Sequence, residues 1–308
     1  MTQATSSKLD RELVTAVRAA ERGVVRVDGE RGQSVSGCVY APDLVLTSNA
    51  ELGRGEPTQV TGHDGRAYAA ELVGRDPSYD LALLRVSASD LVPLVFADGN
   101  EVAVGQLALA LGRPGKAIRA SLRIVGLVAD DVETPSGGRL ARYIESDRAF
   151  PPGFAGGPLI DIAGRALGMN SGRLLRGADL SLTRETLEPS VRQLLAHGTI
   201  PRGYIGVAAQ PVRLPPELRE KLGRRSGALV LAVERGGPAE RAGIRFGDTL
   251  IAIDGQPVSG PRELTARLRD RGGAALVLQL VRAGELLESN LTAALRGGSG
   301  QSPGAPDE

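Results

Sequence analysis

From Val24 onward the apolar residues of this 308-residue chain recur mostly at every second position in short runs, and that period limits the fold more than any other feature. The runs are Val24–Val27, Gly37–Tyr40, Leu44–Thr47, Gln59–Thr61 and Ala67–Val73, then Leu81–Val86, Gln106–Leu111, Ala120–Leu127, Arg142–Glu145, Pro158–Ile160 and Ala166–Asn170. Alternation sends successive side chains to opposite faces, the pattern of a strand with one face in a core. Gly, Asp and Pro separate the runs at short intervals, and the chain holds 41 Gly and 19 Pro, so tight turns join many short strands. His63-Asp64-Gly65-Arg66 reads as one such hairpin, because Asp-Gly readily takes the positive φ of a tight turn. The expected class is mainly β, a barrel or sandwich. Aromatics are 3% of the residues against 42% hydrophobic overall, so the cores must be packed from Val, Leu, Ile and Ala.

The length suits two domains with separate cores. Residues 1–8 read as a flexible polar leader, and Leu13, Val14, Val17 and Ala20 mark an amphipathic helix over Leu9–Arg22. A second helix is expected over Arg184–His197, with Leu187, Val191, Leu194 and Leu195 on one face. The first domain then spans 9–198, residues 199–203 form a linker, the second domain spans 204–296, and 297–308 read as a disordered tail. With 37 basic and 36 acidic residues and no basic stripe, nucleic acid is not an expected partner. One cysteine, Cys38, excludes an internal disulfide and a multi-cysteine metal site, and no cofactor is expected. No run reaches the length of a membrane span, and residues 1–10 hold no apolar core of a signal peptide. Read literally the chain is cytoplasmic; with an export signal trimmed away it would be periplasmic.

Three segments carry the chemistry of the first domain. Gly37–Leu52 contains Leu46-Thr47-Ser48-Asn49-Ala50-Glu51-Leu52, Gly74–Val86 contains Tyr79-Asp80-Leu81-Ala82-Leu83-Leu84, and Glu145–Asn170 contains Gly153-Phe154-Ala155-Gly156-Gly157-Pro158. In this order and spacing they resemble the HtrA (DegP/DegS-like) branch of trypsin-like serine proteases. The resemblance implies a double six-stranded β-barrel. It also implies that Asp80 is the triad carboxylate, that Ala50 stands where the histidine base is expected, and that Ala155 stands where the serine nucleophile is expected. Phe154 replaces a small polar residue and Pro151 an asparagine. Peptide hydrolysis needs a nucleophile, a base and oxyanion donors, and an aspartate alone has no imidazole to orient. The amides of Gly153 and Ala155 could still form an oxyanion hole, leaving roughly 10³–10⁴-fold acceleration over water at best. His63 in its turn and His197 at a helix end are expected to face solvent. Cys38 on a strand, and Ser48 and Ser171 near the site, are expected to be ordinary structural positions.

In the second domain Gly227–Val233 leads into Gly236-Gly237-Pro238-Ala239-Glu240-Arg241-Ala242-Gly243-Ile244, followed by Phe246–Val258. Pro238-Ala239 suits a first helical turn, Ala242-Gly243 ends it, and Ile253-Asp254-Gly255-Gln256 forms a hairpin turn. This stretch resembles a bacterial PDZ domain (α+β), which takes up an extended peptide on an open sheet edge and captures its terminal carboxylate with backbone amides. By that resemblance Tyr204-Ile205-Gly206-Val207 is the carboxylate loop. A helix over Gly260–Arg271 is the facing wall, and Ile205, Val207, Leu264 and Leu268 line the pocket. Lys221-Leu222-Gly223-Arg224-Arg225 reads as a charged, solvated loop.

The resulting expectation is a catalytically inactive member of the family that binds protein C-termini or unfolded segments. It would act as scaffold, chaperone-like binder or regulator in protein quality control. Two other expectations stand beside it: an active endopeptidase with unconventional residues, and a regulatory subunit joined to an active HtrA paralogue. Family resemblance also implies a homo-oligomer, with a trimer as its expected form.

Overall fold

The computed structural model describes residues 2–29, 34–53, 57–87, 91–134, 138–175, 178–200, 202–269 and 271–296. Two compact units divide the chain, Met1–Ile200 and Pro201–Glu308. In the first, strands β1 (Val24–Gly29), β2 (Ser34–Ala41), β3 (Leu44–Ser48), β4 (Pro57–Thr61), β5 (Ala67–Asp76) and β6 (Leu81–Val86) close in the order β1-β2-β3-β6-β5-β4. Strands β7 (Leu107–Gly112), β8 (Arg119–Glu133), β9 (Arg139–Ser146), β10 (Pro158–Asp161), β11 (Ala166–Leu175) and β12 (Ala178–Leu182) close as β10-β11-β12-β9-β8-β7. Closure removes the open edges that such short strands would otherwise present.

β6 shows why alternation fades in the middle of the domain. Leu81, Ala82, Leu83 and Leu84 are all 0% exposed. Ala82 and Leu84 point into the first barrel with Val25, Val45 and Val60. Leu81 and Leu83 point the other way, into a cluster that includes Leu109, Leu111, Ile160 and Met169 of the second barrel. A strand buried on both faces loses its polar half. The same cluster takes in Ala16 and Ala20 of helix α1 (Thr2–Ala20) and Leu187, Val191 and Leu194 of α3 (Arg184–His197), while a short α2 (Asn49–Leu52) follows β3.

α3 occupies the span its periodicity predicts and stops at Gly198, whose φ is +68°. α1 departs from expectation: the leader read over 1–8 is helical from Thr2. Apolar spacing marks only the turns that pack on a core, and Lys8 pairs with Glu12 one turn on at 3.9 Å along a stretch with no such spacing.

The second unit holds β13 (Arg202–Tyr204), β14 (Val207–Arg213), α4 (Pro216–Leu222), β15 (Ser226–Val233), α5 (Pro238–Arg241) and β16 (Thr249–Ile253), then β17 (Gln256–Pro257), α6 (Pro261–Leu268), β18 (Ala275–Arg282), β19 (Glu285–Thr292) and β20 (Ala294–Arg296). The main sheet runs β14-β15-β16-β18-β19, with β17 on β16, and β13 pairs with β20. Ala228, Val230, Leu250, Leu278 and Leu280 form its core.

Three expectations shift here. The linker over 199–203 is not a free joint: Ile200 is 3% exposed in the first unit's core, and Arg202 and Gly203 already pair in β13. Lys221 and Leu222 finish α4 rather than a loop, which Pro216 opens and Gly223 closes at φ +64°. The wall helix is shorter than Gly260–Arg271, ending at Leu268. The expected tail over 297–308 lies outside the described residues.

Candidate functional site

Asp80 closes the turn between β5 and β6 at φ +52°, and its side chain is held by both barrels. From the first barrel, Ser48 at the end of β3 donates to the carboxylate at 2.9 Å, and the Ala50 amide donates to Oδ1 at 2.7 Å. From the second, Ser171 on β11 donates to Oδ2 at 2.7 Å. The backbone is fixed as well, since the Asn49 amide donates to the Asp80 carbonyl at 3.0 Å. Ser48 meanwhile caps α2, its oxygen accepting from the Glu51 amide at 3.2 Å. The turn is anchored from behind by Asp76, whose carboxylate accepts from the Ser78 amide at 3.0 Å and from Ser190 of α3 at 2.6 Å.

Asp80 is 4% exposed. Burial pushes its carboxyl above the usual range. The hydrogen bonds from Ser171, the Ala50 amide and Ser48 counter that only in part, and the charge of Glu51 adds to it. Ser48 and Ser171, expected to be incidental, are therefore the two side chains that hold this acid.

The second half of the site is the turn before β10. The Phe154 amide donates to the Pro151 carbonyl at 3.2 Å, with Gly153 at φ +82°. Ser36 donates to the Gly153 carbonyl at 2.5 Å and accepts from the Arg113 amide at 2.7 Å. The amides of Gly156 and Asn170 tie the turn to β11 through bonds of 2.8 Å each. Among the described residues the amides of Gly153 and Ala155 donate to no protein acceptor. Gly156 explains how the turn meets the first barrel: a Cβ there would lie 2.2 Å from the Ser36 carbonyl oxygen and 2.8 Å from the Ser48 nitrogen. Only glycine allows that approach, which brings the turn holding Ala155 against the end of β3 at Ser48.

Phe154 departs from the family's small polar residue for a reason the fold supplies. It is 2% exposed and packs among Ala108, Ala110, Val125 and Leu159 inside the second barrel. Upstream, Arg123 on β8 is buried. It donates to the Ala149 carbonyl at 3.0 Å and sits 5.9 Å from the Phe150 ring centroid, while its Nε has no partner. Nothing in the alternation of β8 distinguishes this arginine from a solvent-facing one.

Ala50 and Ala155 carry only methyl groups at this site, and neither histidine is buried there. His63 and His197 are both exposed, as expected. Cys38 is 0% exposed, its thiol directed at the Gly156 carbonyl at 3.2 Å, and burial pushes its pKa far up, which keeps it a thiol. Among the described residues no group of three His, Cys, Asp or Glu could hold a metal ion.

The second unit packs its predicted apolar residues Ile205, Val207, Leu264 and Leu268 into one cluster. Tyr204 ends β13, and Ile205 and Gly206 lead into β14 with Gly206 at φ +83°. The Ile205 carbonyl accepts from Ala239 at 2.7 Å and the Gly206 carbonyl from Glu234 at 2.9 Å. Among the described residues the amides of Ile205 and Gly206 donate to no protein acceptor, so this loop has its donors free and its acceptors occupied. Ile205, Leu264 and Leu268 are 2%, 5% and 6% exposed, with Val207 packed against the same cluster. β14 is the outermost strand of its sheet.

Residues 35–169 match the family model of the trypsin-like peptidase domain, and residues 229–282 match that of the PDZ domain. A protein of Chlamydia trachomatis named probable periplasmic serine endoprotease DegP-like is 31% identical over 277 residues, covering 86% of this chain and 54% of that protein. Its namesake in Brucella suis is 32% identical over 297 residues, covering 89% and 57%. The chain thus spans about half the length of the curated relatives it matches. Among solved structures, the HtrA-type protease AlgW with tripeptide superposes with a TM-score of 0.64 at 26% identity, over 92% of this chain and 97% of that one. A serine endoprotease from Yersinia pestis gives 0.68 at 24% identity, over 92% and 98%. Among the described residues no helix is long and apolar enough to cross a membrane. The relatives are named periplasmic, so the cytoplasmic expectation gains no support.

Proposed function

Because the chain belongs to the HtrA family of trypsin-like proteins with a PDZ domain, we propose that it is a peptide-binding member that has given up hydrolysis. The reading rests on one observation. In α2 just after β3 and in the turn before β10, where the family's base and nucleophile belong, Ala50 and Ala155 offer only methyl groups, and Asp80 is already engaged by two serines and the Ala50 amide. Acyl transfer needs a hydroxyl or thiolate to attack and a base to take its proton. The free amides of Gly153 and Ala155 supply neither, though they suit a peptide carbonyl.

What remains fits binding. The free amides of Ile205 and Gly206, the apolar floor of Ile205, Leu264 and Leu268, and the unpaired edge of β14 support capture of a peptide's C-terminus by strand addition. We assign such a binder to protein quality control, holding exposed protein tails outside the cytoplasm as its relatives' names suggest. It would act alone as a homo-oligomer, or as a non-cutting subunit beside an active paralogue.

A protease assay with casein and fluorogenic peptides tests the first half. No turnover above buffer is expected, and cleavage abolished by Asp80→Ala would overturn it. Calorimetric titration with peptides bearing free and amidated C-termini tests the second, with binding expected only of the free acids.

A further inference from the structure

We infer that the second unit carries a basic cleft at the far end of β14 that takes acidic residues lying well upstream of a ligand's C-terminus, an inference that rests on the reading of β14 as a peptide-binding edge. From Arg213 to Arg225 the chain holds five basic residues, Arg213, Arg219, Lys221, Arg224 and Arg225, against two acidic ones, Glu217 and Glu220. Elsewhere in this unit arginines are matched to carboxylates, as Arg271 is to Asp254 and Arg282 to Asp248. Here the matching stops. Arg213, Arg219, Lys221 and Arg225 are exposed, and among the described residues none of them is in an ion pair. Arg224 donates to the Ile251 carbonyl, which holds its guanidinium in place without neutralising it. Like charges gathered without counter-charges repel one another, so this surface gains by taking up an anion.

Its place in the fold names the anion. Arg213 ends β14 and pairs with Ser226, the first residue of β15, and the Leu214 amide donates to the Arg225 carbonyl at 3.0 Å. A cleft of about 360 Å³ lies at this corner, with Arg224, Arg225 and Ser226 on one side and Pro257, Val258 and Ser259 on the other. It is bounded by the chain entering β15 and by the chain entering α6. On the α6 side the Glu263 carboxylate is taken up by the Ser259 amide. Arg213 also lies on the right face of its strand. Val207 and Ala209 pack on the core that holds Leu264 and Leu268 of α6. The register shift opposite them leaves its extra residue, Leu231, on β15, so alternation along β14 brings Arg213 to that same face. A ligand with its carboxylate at Ile205 and Gly206 runs antiparallel to β14, its last residue beside Val207. The residue about six before that lies beside Arg213, and earlier ones leave the strand at the cleft. Carboxylates there meet guanidinium groups that pair with them well. Each such surface pair is worth little, but several unmatched cations acting on one segment add up.

The test uses the full chain and a C-terminal sequence selected from a peptide library with free C-termini. That sequence ends two labelled dodecapeptides, identical except for glutamates in one and glutamines in the other at the seventh- to tenth-last residues. By fluorescence anisotropy the glutamate peptide is expected to bind about ten-fold tighter at low ionic strength, and within about two-fold of the other in about 0.5 M salt. Arg213→Glu with Arg225→Glu is expected to reverse the order, so that the glutamine peptide binds more tightly. Equal affinities in the natural chain overturn the acidic preference and leave the C-terminal reading standing. A preference kept in the double variant overturns its assignment to these arginines. Pelleting with phosphatidylglycerol vesicles, without any preference between the peptides, marks the patch as a lipid contact and also overturns the inference. Failure to select any peptide, or equal binding of the amidated glutamine peptide, overturns the C-terminal reading itself.

Discussion

Asp80 carries a testable electrostatic signature. Burial raises its folded-state pKa above the unfolded value, so the native chain binds this proton more tightly than the unfolded chain does. Its contribution is then fully present below the unfolded pKa and is lost as pH rises through the folded one. Asp80→Asn stays neutral throughout. Its stability relative to the natural chain should improve as pH rises above the ordinary aspartate value of about 4, as measured by urea unfolding at each pH. A constant difference would show that the carboxyl titrates as an ordinary surface acid. On the proposed reading, placing a base and a nucleophile at these positions, Ala50→His with Ala155→Ser, is expected to give weak but measurable cleavage of a fluorogenic peptide, abolished by adding Asp80→Ala. Asp80 itself was legible in the sequence because its whole segment resembles the family's. Ser48 and Ser171 were not, because their role appears only when strands far apart in sequence meet at one carboxylate. Arg123 was hidden for a similar reason: its burial comes from Ala149 and Phe150 folding over β8.

Among the elements, the turn before β10 and helix α3 are the parts that fix the first unit's site. Phe154 fills the second barrel from that turn, so Phe154→Ala should cost about 3–5 kcal/mol in chemical unfolding through the cavity it leaves. A loss within about 0.5 kcal/mol would mean that the turn packs elsewhere. Ser190 links α3 to Asp76 at 2.6 Å in a buried setting, and Ser190→Ala should cost about 1–3 kcal/mol by stranding that acceptor. Apolar spacing located α3, since Leu187, Val191 and Leu194 of its stripe are buried, although Leu195, read on the same face, is 42% exposed. It placed the start of α1 several residues late, because the sequence over Thr2–Lys8 has no apolar repeat to read. It read the end of α4 as a loop, because a helix with no buried residue leaves no periodic trace.

At the scale of the whole molecule, each unit closes its own core: one set of clusters is drawn from the two barrels and their helices, the other from the β14–β19 sheet and α6. Differential scanning calorimetry should accordingly resolve two transitions, and residues 1–200 expressed alone should melt cooperatively. A single transition for the full chain with an unfolded 1–200 fragment would contradict this. The acid at the heart of the first unit then takes on a different meaning. Ser48 belongs to one barrel and Ser171 to the other, and Asp80 bonds both, so a single carboxylate rivets the halves of the domain together. That bonding needs neither a base nor a nucleophile beside it. An acid at this place therefore has a mechanical duty in the fold, whatever chemistry its neighbours do or do not perform.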